Sequence, residues 1–190
     1  MSRPSKASRA SRASRGRQRG SPPNGERKPS GTAKDRALRL LGVRWRSAGE
    51  LRRRLAMAGF PPDEVESALS ELELVGLVDD ERFARELVKD QVGRRMSGSR
   101  AIRAALRQRE VPTAVAEAAM AEAGDDADQA KALAESRARR MTGLPPETAY
   151  RRLYGMLLRR GHSPGIAREA CRAALAPVLR AEESPADLES

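Results

Sequence analysis

The sequence predicts an all-α protein, an elongated array of three tandem three-helix repeats that follows a disordered basic N-terminal tail. Alanine, leucine and arginine dominate the composition while aromatic residues make up only 3%, and this balance favours helix over strand. An apolar pattern also recurs every 51 residues within arginine-rich segments. A fixed period of this size is typical of stacked copies of one helical unit. The three copies are Leu51, Leu55 and Phe60; Ile102, Leu106 and Val111; and Leu153, Leu157 and His162.

Capping and breaker residues divide each repeat into three helices. Thr32 with Asp35, and Ser47 with Glu50, have the spacing of capping boxes ahead of the first two helices, and Gly59 ends the second. The predicted helices span residues 34–44, 48–58, 62–75, 80–93, 98–109, 112–123, 126–141, 146–160 and 164–179. The predicted divisions are a basic tail at 1–33, repeats at 34–79, 80–124 and 125–180, and an acidic C-terminal tail at 181–190.

Most of the net charge of +11 lies in the N-terminal tail. Residues 1–34 hold ten Lys or Arg side chains against Glu26, a balance of +9, in Ser-Arg-Ala repeats followed by a Gly- and Pro-rich run. Such a segment buries too little apolar surface to fold, and a polycation attracts any polyanion without reading its sequence. The tail is therefore either a solubilising extension or a nonspecific nucleic-acid contact, and binding driven by the tail would be lost without residues 1–33.

Charges within the array are segregated. Residues 63–90 carry ten acidic and three basic side chains, whereas residues 94–109 carry six arginines and no acid. On a helix, Arg100, Arg103 and Arg107 share the face opposite the predicted core. Because no acids are interspersed, this face is predicted to meet a polyanion or an acidic protein. The candidate contact residues, chosen from this charge geometry, are Arg94, Arg95, Arg100, Arg103, Arg107, Arg152 and Arg159.

Residues that carry catalytic or metal chemistry are scarce. The chain has one histidine and one cysteine, and neither a metal-ligand spacing nor a Gly-rich phosphate loop is present in the sequence. His162 takes the register position of Phe60 and Val111, which favours a packed ring over a general base. Trp45 and Phe83 are predicted to pack between helices rather than to stack on bases. We therefore expect no enzyme activity, no cofactor and no metal.

The sequence also bears on location. No apolar run approaches the roughly 18 to 20 residues that cross a bilayer, and the basic start lacks the apolar stretch of a secretory signal. Cys171 lies in a helical apolar pattern and is predicted to be a small buried group. We expect a cytoplasmic monomer without membrane contact.

Four segments resemble the RecX family of bacterial recombination regulators. Residues 50–55, 76–84 and 98–106 match the family in order and spacing, and residues 157–162 resemble its final repeat, in which an aromatic residue often stands where this chain has His162. The resemblance covers about residues 34–180 and leaves the basic tail unexplained.

The resemblance implies an array of three three-helix repeats that lies in the helical groove of the RecA filament on single-stranded DNA. Family members restrain the ATPase, strand-exchange and coprotease activities of RecA, and thereby DNA repair and the SOS response. A modulator of this kind needs no catalytic residues, and direct contact with DNA phosphate is a further expectation. The family pattern names no contact residue, so the seven arginines rest on charge geometry alone.

Residues 47–80 also resemble a winged helix-turn-helix, which would bind duplex DNA as a transcription regulator. A wing would require a β-hairpin after Val78. Phe83, Leu87 and Val92 instead recur with helical spacing, and no hairpin turn signal lies among them. The helical array is therefore the preferred fold.

Overall fold

The structure, a computed structural model, describes residues 30–141 and 143–182, with side chains described as far as residue 177. These ranges contain nine α-helices and no strand, which confirms the all-α prediction. Residues 1–29 of the predicted basic tail and residues 183–190 of the acidic tail lie outside the described residues. The helices are α1 (Ala33–Val43), α2 (Ala48–Met57), α3 (Pro62–Leu74), α4 (Asp80–Gly93), α5 (Ser99–Gln108), α6 (Thr113–Ala121), α7 (Asp126–Ala138), α8 (Pro146–Arg159) and α9 (Pro164–Glu182).

The helices pack in three groups of three, and each group surrounds its own apolar core. Leu51 and Leu69 lie in the core of α1 to α3, Ile102 in that of α4 to α6, and Leu153 and Leu157 in that of α7 to α9. All nine positions of the 51-residue pattern are buried. The 51-residue period therefore identified the buried face of the second helix in each repeat and the buried residue that follows that helix.

A left-handed residue ends each second helix. Gly59, Glu110 and Gly161 follow α2, α5 and α8 with φ angles of +88°, +57° and +89°. The next residue then donates its N–H back to the carbonyl of a core leucine, which is the long hydrogen bond of a Schellman turn. The three bonds are Phe60 N to Leu55 O (3.3 Å), Val111 N to Leu106 O (3.2 Å) and His162 N to Leu157 O (3.2 Å).

The same turns join one repeat to the next. At the first joint, the Ser47 hydroxyl donates to the carbonyl oxygen of Arg109. At the second, Gly98 N donates to Arg160 O at 2.8 Å, and Arg100 N donates to Gly161 O at 3.2 Å. Ser47 and Gly98 are 51 residues apart, as are Arg109 and Arg160. The N-termini of α2 and α5 therefore each meet the C-terminal turn of the second helix in the following repeat.

Carboxylates of the following repeat cap these helix starts. Ala48 N donates to Asp80 Oδ1 at 2.8 Å, and Ser99 donates to Asp126 Oδ2 from both its N (3.2 Å) and its Oγ (2.8 Å). Asp80 and Asp126 are the first residues of α4 and α7. First-turn N–H groups lack acceptors within their own helix, and the helix dipole favours negative charge at this end. The second helices are thus tied head to tail by polar bonds.

The start of α8 departs from the register. α2 and α5 begin at Ala48 and Ser99, 51 residues apart, whereas α8 begins at Pro146, four residues ahead of the equivalent Tyr150. The start of α8 therefore has one more helical turn than the starts of α2 and α5.

The two predicted capping boxes have different outcomes. Thr32 and Asp35 form the complete box, with each side chain accepting a backbone N–H of the other residue. Ser47 accepts the N–H of Glu50 at 3.0 Å, but the carboxylate of Glu50 does not return to Ser47. The prediction of a second full box was wrong because Glu50 has stronger partners.

Glu50 is a buried carboxylate surrounded by arginines. Only 2% of the residue is exposed, and its side chain pairs with Arg44, Arg46, Arg54 and Arg109. Burial on its own would raise the pKa of Glu50, but hydrogen bonds from Arg54 and Arg46 and the charge of Arg44 together lower it below the ordinary value. Because Arg109 belongs to the second repeat, the cluster also reinforces the first joint.

Gly98→Ala should disrupt the second joint. A Cβ at Gly98 would meet backbone atoms at 2.5 Å, the carbonyl carbon of Gly161 and the Cα of His162, and backbone cannot yield as a side chain tip can. We expect the free energy of unfolding to fall by about 1–3 kcal/mol. Gly93→Ala is the matched control, because nothing lies within 4 Å of its Cβ, and should be neutral or slightly stabilising. Urea denaturation of both variants measures this difference. Equal free energies of unfolding would contradict the close backbone approach at Gly98.

Glu50→Gln should destabilise the protein by about 2–4 kcal/mol, since it leaves buried arginine charge without its counterion. The pKa of Glu50 is lowered by folding, so its stabilising effect is complete above the ordinary carboxyl pKa and declines as the pH falls toward the folded value. Urea titrations of wild type and variant should therefore differ most near about pH 7 and converge below about pH 4. Glu66→Gln, which alters an exposed pair, should change stability by less than about 1 kcal/mol. A pH-independent difference for Glu50→Gln would refute the assignment.

Candidate functional site

The seven arginines predicted to contact a partner lie on three parts of the described chain. Arg94 and Arg95 follow α4, Arg100, Arg103 and Arg107 lie on α5, and Arg152 and Arg159 lie on α8. All are exposed except Arg103, which is partly buried. Some of these arginines form ion pairs within the fold. Others have no acidic partner in the described chain and are available for binding.

Arg94 and Arg95 share one acid. Arg94 Nε lies 2.6 Å from Asp90 Oδ1, and Arg95 Nε lies 3.4 Å from Asp90 Oδ2. Both guanidinium groups remain well exposed. One carboxylate offsets only half of their charge, so this turn retains one unit of positive charge that a partner could meet.

Arg103 has a structural partner. Its Nε donates to one carboxylate oxygen of Glu117 on α6 and its Nη2 donates to the other, each at 3.1 Å. The hydrogen bond to Glu117 raises the pKa of Arg103 and lowers that of Glu117. Arg52 and Glu66, each 51 residues earlier, form the same bidentate pair at 2.6 and 2.8 Å. Arg103 therefore ties the second helix of its repeat to the third.

Arg100, Arg107, Arg152 and Arg159 have no carboxylate partner among the described residues. Arg100 and Arg107 are seven residues apart on α5 and so lie on one side of that helix. Arg151, which is 51 residues after Arg100, is equally exposed and unpaired within the described ranges. It was absent from the seven predicted residues, although its place in the register could have identified it.

The third repeat lacks the bidentate tie of the first two. Tyr154 and Arg168 stand 51 residues after Arg103 and Glu117. Tyr154 stacks on Tyr150, with the ring centroids 5.9 Å apart and the planes at 9°. Arg168 is exposed and has no acid partner within the described ranges. A neutral ion pair in two repeats is thus replaced in the third by an aromatic pair and an uncompensated cation.

Formal charge rises along the array. The formal net charge is 0 over residues 34–79, +2 over residues 80–124 and +5 over residues 125–180. The folded part is therefore most basic in its third repeat, while the α5 arginines predicted as contacts lie in the second repeat, whose net charge is smaller. Counting charge within each repeat would have shown this gradient.

His162 supports the second joint. The ring is 1% exposed, and its Nδ1 lies 2.6 Å from Asp126 Oδ1. The other oxygen of Asp126 accepts the hydrogen bonds of Ser99 at the start of α5. His162 therefore orients the carboxylate that caps α5, which confirms the prediction of a packed ring.

Three further observations concern chemistry and location. Cys171 is buried, and burial raises the pKa of its thiol to about 11, so it stays protonated near neutral pH. Among the described residues, no three His, Cys, Asp or Glu side chains converge as ligands of a metal would. No described helix combines the length and the apolar character needed to span a bilayer.

Comparison with known protein families finds three consecutive matches. Residues 33–72 match the family model described as RecX, first three-helix domain. Residues 79–120 match RecX, second three-helix domain, and residues 124–171 match RecX, third three-helix domain. The three models occur in this order and together cover most of the helical array.

Curated relatives extend the match over most of the chain. The protein is 38% identical over 160 residues to Regulatory protein RecX of Mycobacterium avium (strain 104), covering 82% of this chain and 92% of the relative. It is 35% identical over 181 residues to Regulatory protein RecX of Mycolicibacterium smegmatis (strain ATCC 700084 / mc(2)155), covering 92% of this chain and 94% of the relative.

A solved structure shares the fold. The crystal structure of RecX from Lactobacillus salivarius superimposes with a TM-score of 0.64 at 20% sequence identity, covering 75% of this chain and 94% of that one. From the three family domains and the identity to curated relatives, we conclude that this chain belongs to the RecX family of regulatory proteins.

Proposed function

We propose that this protein is a non-catalytic, cytoplasmic modulator that binds in the groove of the RecA filament on single-stranded DNA. In this role it restrains the ATPase, strand-exchange and coprotease activities of RecA, and so regulates recombinational DNA repair and the SOS response. The observation that carries the proposal is the run of three RecX domains in family order. The proposed working unit comprises repeats 34–79, 80–124 and 125–180, with segments 1–33 and 181–190 as accessory tails.

The charge distribution supports a partner made of protein and nucleic acid. Arg100 and Arg107 on α5, and Arg152 and Arg159 on α8, are exposed cations with no carboxylate partner among the described residues. Arginine suits both carboxylates and DNA phosphates because its guanidinium donates in pairs. Arg94 and Arg95 contribute the one positive charge that Asp90 does not neutralise. Arg103 contributes mainly by stabilising the fold.

The proposed mechanism is restraint of subunit movement. A monomer whose three repeats are tied head to tail can bridge successive RecA subunits. It then favours the filament conformation that it binds and opposes the rearrangements that couple ATP hydrolysis to filament turnover, to the extent that its affinities for the two conformations differ.

The alternative function, a winged helix-turn-helix that regulates transcription, required a β-hairpin after Val78. The chain forms helix α4 (Asp80–Gly93) at that place, and no strand occurs in residues 30–141 or 143–182. The structure therefore removes the wing on which that alternative depended.

The direct test is a titration of RecA ATPase activity on single-stranded DNA with the full-length protein. The proposal predicts inhibition at well below one molecule per RecA, since each array would restrain more than one subunit. Lack of inhibition, together with retained binding to duplex DNA, would reject the RecA-modulator proposal in favour of a DNA-binding regulator.

The contact assignment is tested by replacing Arg100 and Arg107 together with glutamine. Two exposed ion pairs at up to about 1 kcal/mol each predict filament binding about three- to thirty-fold weaker, with a shallower dependence on salt concentration. The control replaces Arg36 and Arg39 on α1 with glutamine, which removes equal charge from the first repeat, and should bind almost normally. If the two double variants bind alike at every salt concentration, only total charge matters and the assignment to α5 is incorrect.

A further inference from the structure

The first repeat exposes large apolar side chains beside a small cavity. Trp45 is 51% exposed and Leu77 is 54% exposed. With Leu41 and Phe83 they line a cavity of about 210 Å³ between the end of α1 and the start of α4. The prediction that Phe83 packs between helices is confirmed, since it is only 8% exposed, but the same prediction was wrong for Trp45.

Three further exposed apolar side chains lie close to the cavity residues in the sequence. Val43 lies two residues before Trp45, and Leu74 and Val75 lie just before the loop that carries Leu77; these three side chains are 78%, 89% and 65% exposed. We call Val43, Trp45, Leu74, Val75 and Leu77 the α1/α3 patch. Large exposed apolar side chains grouped near one cavity commonly mark an interaction site.

The architecture of the repeat does not require this exposure. Met96 is 51 residues after Trp45, and it packs against the core of the third repeat. Trp45 instead leaves half of its surface in solvent. The residue at the first joint is thus larger and more exposed than its counterpart at the second.

Arg82 completes the patch with free hydrogen-bond donors. Its guanidinium carbon lies 4.7 Å from the centroid of the Trp45 ring, and it has no carboxylate partner among the described residues. The other charged groups that line the cavity are engaged, since Arg46 pairs with Glu50 and Asp79 accepts the N–H of Arg82 at the start of α4. Tryptophan and arginine are the residue types most often found at binding hot spots.

Two candidate occupants fit poorly. Nucleic acid phosphate does not match the apolar side chains of the patch, which offer it no hydrogen-bond donor. The chain's own segment 1–29 has no Leu, Ile, Val or aromatic residue to fill the cavity.

We propose that the α1/α3 patch is the protein-contacting surface of the array and receives a segment of a RecA subunit. That segment inserts an apolar side chain between Trp45 and Leu77 and places an acceptor oxygen, from a backbone carbonyl or a carboxylate, on Arg82. The inference rests on the proposed function and assigns the first repeat to protein, leaving phosphate to the basic residues of α5 and α8.

Binding of full-length variants to RecA filaments at low and high salt tests the proposal. Trp45→Ala and Leu77→Ser should each weaken binding at least about tenfold, by a similar factor at both salt concentrations because the contact is apolar. Met57→Ala is the matched control, since Met57 is a 76% exposed apolar residue of the same repeat outside the patch, and should bind normally. Thermal unfolding shows whether each variant is folded. Because Leu77 lies on the surface, its variant still tests the patch if Trp45→Ala fails to fold.

A spectroscopic reading is available because Trp45 is the single tryptophan of the chain. In protein labelled with 5-fluorotryptophan, its fluorine resonance should shift when unlabelled filament is added. An unshifted resonance in a bound complex, or normal binding by both patch variants, overturns the inference while leaving the proposed function intact. A wild-type dimer that Leu77→Ser dissociates overturns it in favour of a second copy. Failure of the wild type itself to bind filament rejects the proposed function, and the inference with it.

Discussion

The hydrogen-bonded joints between consecutive second helices determine how the whole array is arranged. Each repeat has its own apolar core, and although Met96 of the second repeat packs against the core of the third, hydrophobic burial mainly stabilises the repeats separately. Orientation instead comes from directional bonds. Backbone and hydroxyl donors at the starts of α2 and α5 meet the carbonyls of Arg109, Arg160 and Gly161. Such bonds add modestly to stability, but leaving them unmade inside a joint is expensive, and this penalty fixes the geometry.

The joints also explain how the arginines are divided. Arg109 pairs with Glu50 across the first joint, and Arg160 reaches the carbonyl of Arg95 at the second. Arg103 is held by Glu117. Arginines with acids or carbonyls inside the array maintain its shape, and those on the outer sides of α5 and α8 are left over. Charge composition alone therefore overstates the binding surface, and the pairing pattern is what identifies it.

Sequence reasoning predicted much of the fold because the decisive signals are local or strictly periodic. Leu51, Ile102 and Leu153 identify one buried face in three copies, and glycines and prolines mark the helix ends. The period does not extend to the first helices, which begin at residues 33, 80 and 126, 47 and 46 residues apart, since the loops before them differ in length. The partners of Glu50 and Arg103 include residues 59 and 14 positions away, and the half-exposed state of Trp45 depends on how α1 meets α4. No local pattern encodes those relationships, so the interface could be predicted only in outline.

The rise of charge along the array gives the proposed interaction a direction. A neutral first repeat with an apolar patch and a third repeat of charge +5 experience different forces near a nucleoprotein surface. Electrostatic attraction acts over about 10 Å at moderate salt and draws the third repeat toward phosphate, whereas apolar contact acts only after the surfaces meet. Approach would therefore be oriented by the third repeat and completed by the first. Because the joints fix the distance between these two surfaces, the proposed interaction would engage both at once only where protein and phosphate lie at a matching separation, and it would then favour a filament over free DNA or free protein.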